Sequence, residues 1–261
     1  MSESNPYQPP VVSAAPAPAP ADVFSAAGRA VNAGRGWEWI AEGFALFKKQ
    51  PGIWVLIVLV LFVCLIVINV VPVIGSLASM LLMQVFMGGV MVGCRALDND
   101  ETFEVGCVFA GFKQSTGDLV VLGVLALVGW IVAFIPSILI MGGGAFMAVI
   151  MGGSGQLPNF ATLGLSFVLA LLIGCALALP LYMALWFAPA LVVFNNLKPV
   201  AAMKASFFGC LKNIVPFLVY GVILLVLCIA ASIPFGLGFL VLGPVIIASI
   251  YTAYRDIFVA A

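Results

Sequence analysis

The sequence predicts an all-α polytopic membrane protein: six transmembrane helices built as three tandem repeats of an interfacial helix plus a helical hairpin, N-in and C-in. Three observations carry this expectation. Of the 261 residues, 64% are hydrophobic and 8% are charged, with a mean hydropathy of +1.27, whereas soluble domains hold about 45–50% apolar and about 25% charged residues. Charge-free runs such as 50–94 and 119–194 are too long to be single core elements. The segment Phe44-Ala45-Leu46-Phe47-Lys48, which precedes the first run, returns in spacing as Phe109-Ala110-Gly111-Phe112-Lys113 and Phe208-Gly209-Cys210-Leu211-Lys212. A proline then follows each lysine by 24, 23 and 22 residues, at Pro72, Pro136 and Pro234.

Residues 1–28 are rich in proline and alanine, with Pro6, Pro9, Pro10, Pro16, Pro18 and Pro20 among small side chains. Such a chain is extended and has too little bulk to form a core, so a disordered cytoplasmic tail is expected. It does not read as a signal peptide: Glu3 stands where a basic region belongs, and no apolar core precedes Gly52. The membrane domain is expected over 29–258, with repeat units at about 36–95, 100–195 and 199–256.

In the first unit, Trp37, Ile40, Phe44 and Phe47 recur at helical spacing, and Glu38, Glu42 and Lys49 fall elsewhere on the wheel. This predicts an amphipathic helix in the interface, with Trp37 and Trp39 at headgroup level. The run 50–94 is about twice the ~20 residues that one helix needs to cross the hydrocarbon. It therefore folds back, and Pro72 with Gly75 supplies the break between helices over 53–71 and 74–94.

The second unit opens with acids at Asp98, Asp100, Glu101 and Glu104, ahead of a stripe of Val105, Val108, Phe109 and Phe112. This predicts a second interfacial helix with acids at its positive end. The acids do not follow the spacing of a calcium loop. A span over 119–141 follows, then an insertion over 142–162 whose glycines predict a re-entrant or surface loop, then a span over 163–187 with Pro180 inside it. The third unit places Val200, Met203, Phe207, Phe208 and Leu211 on one face of an interfacial helix, with Lys204 and Lys212 on another. Spans over 214–233 and 239–254 complete it, joined at Pro234.

All ten Lys and Arg residues fall on the side that bears both termini. The positive-inside rule assigns that side to the cytoplasm of a bacterial inner membrane. The segment 98–118 holds one lysine and five acids, and 198–212 holds three lysines and no acid, so the two segments are expected to touch.

Little in the sequence supports chemistry. There is no histidine, which removes the commonest general base and metal ligand. Cys64, Cys94, Cys107, Cys175, Cys210 and Cys228 form no CxxC pair and read as packing residues. No ionisable residue lies at membrane depth, where a coupled transporter normally keeps one. No catalytic, cofactor or metal residue is assigned, no nucleic acid is expected, and the chain reads as not an enzyme. Lys48, Lys113 and Lys212, with Phe44, Phe109 and Phe208, are candidate interfacial anchors or lipid headgroup contacts. Pro72, Pro136 and Pro234 are candidate hairpin turns, and Gln84, Tyr182 and Tyr251 are candidate path residues or interhelical polar contacts.

The Phe44 to Pro51 segment, Trp186-Phe187-Ala188-Pro189-Ala190-Leu191, Lys198-Pro199-Val200-Ala201-Ala202-Met203-Lys204-Ala205-Ser206-Phe207 and Tyr254-Arg255-Asp256-Ile257-Phe258 resemble an uncharacterised family of proteobacterial six-helix inner-membrane proteins. More distantly, the chain is similar to the membrane domain fused to some glycerophosphodiester phosphodiesterases. The resemblance covers about 35–258 and implies no catalytic residue here. The expected function is a non-enzymatic integral membrane protein: a scaffold, an assembly factor or a lipid-organising partner. Its expected partners are membrane lipids and a membrane protein or a second copy. The alternative is a channel or transporter for a small neutral or lipidic substrate.

Overall fold

The computed structural model describes residues 23–151 and 160–260. Nine α-helices are present among the described residues: α1 (Arg35–Lys49), α2 (Pro51–Ile68), α3 (Ile74–Asp98), α4 (Thr116–Met151), α5 (Phe160–Trp186), α6 (Ala188–Asn195), α7 (Pro199–Lys212), α8 (Ile214–Ser232) and α9 (Phe239–Phe258). A 3-10 helix (Val105–Phe112) lies between α3 and α4. Six helices, α2, α3, α4, α5, α8 and α9, carry windows long and apolar enough to cross a membrane.

Proline opens α2, α6 and α7 at positions where its missing N–H costs nothing. Pro72 and Pro234 lie in the turns that join α2 to α3 and α8 to α9. Pro136 does not mark a turn: it lies inside α4, which continues to Met151. In apolar surroundings, backbone groups must pair within their own segment, and neighbouring helices absorb the break that a proline makes. The same pressure corrects the loop expected from residue 142, since 142–151 are helical. Of the remainder of that insertion, 152–159 lies outside the described residues, as does 1–22 of the tail, and 160–162 open α5.

The tail expectation is corrected over 23–28. Val23–Phe24 (β1) pairs antiparallel with Val259–Ala260 (β2), and the Ser25 N–H donates to the Phe258 carbonyl at 2.9 Å. The Arg29 N–H donates to the Ile257 carbonyl at 2.8 Å. This strap satisfies carbonyls that the last turn of α9 would otherwise leave open.

The packing has a regular order. The 3-10 helix, which leads into α4, packs on α3 and α2. α7, which leads into α8, packs on α5 and α4, and α1, which leads into α2, packs on α9 and α8. α4 and α5 lie closely along each other, whereas α2 with α3 and α8 with α9 touch much less. At the α2 turn, the Asn69 amide donates to Ser79 Oγ at 2.7 Å.

Two close approaches depend on glycine. A Cβ at Gly43 of α1 would stand 2.8 Å from Ser249 N and 2.9 Å from the Val245 carbonyl of α9. A Cβ at Gly89 of α3 would stand 2.5 Å from the Val108 carbonyl of the 3-10 helix. Real Cβ atoms do not come so near to backbone, so these elements can meet only at small residues.

The apolar stripes of these elements are divided between buried and exposed positions. α1 buries Gly36, Trp39, Ile40, Gly43, Leu46 and Phe47, leaving Trp37 and Phe44 outside. Trp39 is fully buried against protein, with its indole on Asp256. The second interfacial element is the 3-10 helix rather than an α-helix; it buries Val108 and Gly111 and leaves Phe109 and Phe112 exposed. α7 buries Ala202, Ala205, Ser206, Gly209 and Cys210, and exposes Val200, Phe208 and Leu211. In α7 and the 3-10 helix small residues are prominent on the face that meets protein, whereas α1 buries Trp39, Ile40, Leu46 and Phe47 beside Gly36 and Gly43.

Candidate functional site

The densest polar assembly is built on the last two turns of α9. Asp256 is almost covered, and its carboxylate is shared by three donors. Arg29 Nη2 donates to Oδ1 at 3.0 Å, and Arg35 Nε and Trp39 Nε1 donate to Oδ2 at 2.6 and 2.9 Å. Arg29 Nε also reaches the Asp256 carbonyl at 2.5 Å. Arg35 carries the chain onward, donating from Nη2 to Glu42 Oε1 at 3.0 Å and from Nη1 to Glu38. The other oxygen of Glu42 accepts from Arg255 Nη2 at 3.1 Å, and Arg255 Nη1 donates to Asp98 Oδ2 at 2.6 Å. Tyr251 OH donates to that same oxygen at 3.0 Å.

Three arginines thus join four carboxylates across the strap, α1, α9 and the end of α3, with Glu38 as a branch from Arg35. Burial works against the charge of Arg35, but the hydrogen bond and charge of Asp256, followed by Glu38 and Glu42, outweigh it and raise its pKa. The guanidinium therefore stays charged. Thr252 Oγ1 adds a bond to the Trp39 carbonyl at 3.0 Å, fixing α9 against α1 one turn earlier. With Asp256, Glu42 and Asp98 each held by guanidinium, the arrangement clamps these four segments together.

A second cluster joins the strap to α7. Asn213 Oδ1 accepts from the Val31 N–H at 2.8 Å, and its Nδ2 donates to the Arg29 carbonyl at 2.9 Å. Lys212 Nζ donates to the Ala27 and Gly28 carbonyls at 2.7 and 3.2 Å. Deeper, Ser206 Oγ donates to the Met183 carbonyl at 2.7 Å and accepts from the Phe187 N–H at 3.0 Å, which tethers the α5–α6 junction to α7.

The sequence-predicted residues are spread over the molecule. The three lysines end in three settings: Lys212 on the strap, Lys48 Nζ 5.1 Å from the Phe44 ring centroid, and Lys113 exposed. Phe109 packs on Phe86 and Phe112, and Phe208 on Phe207. Gln84 is half-buried on α3, Tyr182 stands beside Trp186 on α5, and Tyr251 belongs to the ionic chain. Among the described residues no hydrogen bond or ring contact joins these three. The segments expected to touch by charge do so through Lys198 and Asp118, 3.3 Å apart.

Between the ends of α3, α6 and α9 lies a crevice of about 240 Å³, lined by Arg95, Asp98, Asn99, Phe194, Asn195, Tyr251, Tyr254 and Arg255, with Phe24 and Val259 of the strap pairing. Tyr254 OH donates to Asn195 Oδ1 at 2.6 Å, and the Arg95 guanidinium lies 4.3 Å from the Phe194 ring centroid. A second cavity of about 320 Å³ lies between α4 and α5 and is lined by apolar side chains with Ser137.

The sequence that builds these helices is similar to that of one described protein. A probable inner membrane protein of Burkholderia thailandensis is 31% identical to the chain over 213 residues, covering 80% of the chain and 78% of that protein. The chain belongs to that protein's family. It is a multi-pass inner-membrane protein. No family profile and no solved structure matches the chain.

The ionic chain was missed by sequence reasoning. Arg35 and Asp256 are separated by 221 positions, and the acids and bases around them look like the ordinary charged flanks of spans. One signal was available: Tyr254-Arg255-Asp256 continues, at helical register, from a span rich in small and hydroxylated residues.

Proposed function

We propose that this family member is a non-enzymatic inner-membrane scaffold, one that holds lipids or a membrane-protein partner around a rigid three-part frame. The observation that carries this reading is the contrast in span burial. In α2 and α8, 11% and 17% of the span positions are buried, against 61% in α9. Two apolar helices thus leave most of their surface for something other than the chain's own core, while the charged residues are spent on a static clamp.

The frame is read as three repeats. Its support is the packing order, in which the element leading into each hairpin rests on the preceding hairpin and α1 rests on the last. Such an arrangement suits three units in one orientation about an axis along the membrane normal. The side bearing the clamp is assigned to the cytoplasm, because all ten basic residues lie there. The distant resemblance to membrane domains fused to phosphodiesterases fits a module that serves lipid metabolism without catalysing it.

The test is extraction of the full chain from native membrane in mild detergent after photo-crosslinking from Phe62 on α2 and Val226 on α8. Discrete adducts with one protein, or with one lipid class enriched over bulk, are the expected result. Saturable flux of a neutral solute in proteoliposomes holding only this chain would overturn the scaffold reading in favour of a transport path.

A further inference from the structure

Of the four arginines in the sequence, Arg29, Arg35 and Arg255 are each paired with a carboxylate. Arg95 has no carboxylate partner among the described residues and is exposed on the wall of the crevice. Its guanidinium packs on the Phe194 ring, an arrangement that orients the side chain while leaving N–H donors at its edge unused. Beside it, Asn195 is oriented by Tyr254, whose hydroxyl occupies the amide oxygen and leaves the Nδ2 hydrogens as donors. Asn99 adds a third polar side chain to the same wall.

The charges around the crevice favour an anion. Among the charged side chains that line the crevice, Arg95 and Arg255 face one carboxylate, Asp98, which Arg255 bonds while also reaching Glu42 outside the lining. Three helices end here, and the negative ends of their dipoles oppose an anion. Those ends are largely capped, however. The Phe258 and Ile257 carbonyls accept from the strap, the Leu97 carbonyl from Lys49 Nζ at 3.0 Å, and the Leu191 carbonyl from the Asn196 and Leu197 N–H groups. A full guanidinium charge exceeds the half-charge at any one of these ends.

We propose that this crevice binds a phosphoryl group, with Arg95 as its charge partner and the Asn99 and Asn195 amides as further donors. A fork of guanidinium N–H groups flanked by amides suits a tetrahedral oxyanion with several acceptor oxygens. The group comes from one of two sources, the headgroup of an anionic phospholipid or free phosphate. The site goes beyond the scaffold reading and does not depend on it.

The full chain in phosphatidylcholine nanodiscs is titrated with inorganic phosphate at constant ionic strength, and tryptophan fluorescence reports its Tm. In a second arm phosphatidylglycerol replaces phosphatidylcholine in phosphate-free buffer. A saturable rise of Tm with phosphate assigns the free ion, and a rise only with phosphatidylglycerol assigns the headgroup. In either case Arg95→Gln weakens the apparent affinity by at least about tenfold, and Lys204→Gln, at another exposed base, leaves it unchanged. Asn99→Ala provides the same reading should Arg95→Gln fail to fold. The proposal is overturned if neither ligand moves Tm, or if Arg95→Gln or Asn99→Ala retains the full response.

Discussion

α9 and α2 are both apolar helices of spanning length, 20 and 18 residues, but they have opposite places in the molecule. The α9 span has a mean hydropathy of 1.3 and 61% of its positions buried; the α2 span has 3.1 and 11%. The less hydropathic helix is the better covered, the reverse of the rule in soluble domains. Lipid tails are as apolar as leucine, so a leucine-rich surface gains nothing by meeting protein. What packs is what can approach closely or hydrogen-bond: Pro244, Ala248, Ser249, Thr252 and Ala253 on α9, against Gly43 and Trp39 on α1. α2 is built for the bilayer and α9 for the chain.

The strongest way to break this contrast is at Asp256. Replacing it by alanine leaves Arg29, Arg35 and the Trp39 indole without their shared acceptor. Removing one partner from a buried ion pair costs about 3–5 kcal/mol, and the partial exposure of Arg29 and Arg35 places this case at or below the low end of that range. The expected outcome is a large fall in the denaturation midpoint in detergent, with release of the strap read as faster hydrogen exchange at 23–31. An unchanged midpoint would remove α9 from the centre of the fold.

Gly43→Ala comes next. The added methyl meets the α9 backbone at Val245 and Ser249, which no rotamer change can relieve. Overpacking of this kind costs about 1–3 kcal/mol. Gly52→Ala, where nothing lies within 4 Å of the added atom, serves as the neutral control in the same melting assay. Smaller again is Tyr254→Phe, which removes one hydrogen bond to Asn195 and should cost about 0.5–1.5 kcal/mol.

The same contrast explains what could be read in advance. The hydrophobic run lengths around Pro72 and Pro234 were sufficient to find the spans, because only helices satisfy the backbone in hydrocarbon. Pro136 was misplaced because spacing alone cannot distinguish a turn from a proline tolerated within α4. The protein-facing sides of α1 and α7 were not legible, because periodicity finds the large apolar stripe and that stripe is split: Ile40 and Phe47 are buried, whereas Trp37, Phe44 and Phe208 are exposed. The clamp was hidden for a different reason: Arg29, Glu42, Asp98 and Asp256 become neighbours only once α1 crosses α9.

The smallest expected effect lies on α2. Leu59→Ala and Phe62→Ala remove large side chains that are exposed on a span. Acyl chains fill the space each one leaves, so the stability of the purified chain should change by no more than about 0.5 kcal/mol. The informative measurement is the same pair of variants in native membrane, assayed by the yield of crosslinks from Val226 of α8 and from a probe at Val63 beside the altered positions. If α2 meets only bulk lipid, both yields stay constant. If α2 is a docking face, the Val63 crosslink falls while the melting midpoint does not, because the lost contacts belong to the partner and not to the fold. A fall in stability of the isolated chain comparable to that of Gly43→Ala would instead place α2 in the core, and the division between a packed α9 and a lipid-facing α2 would not stand.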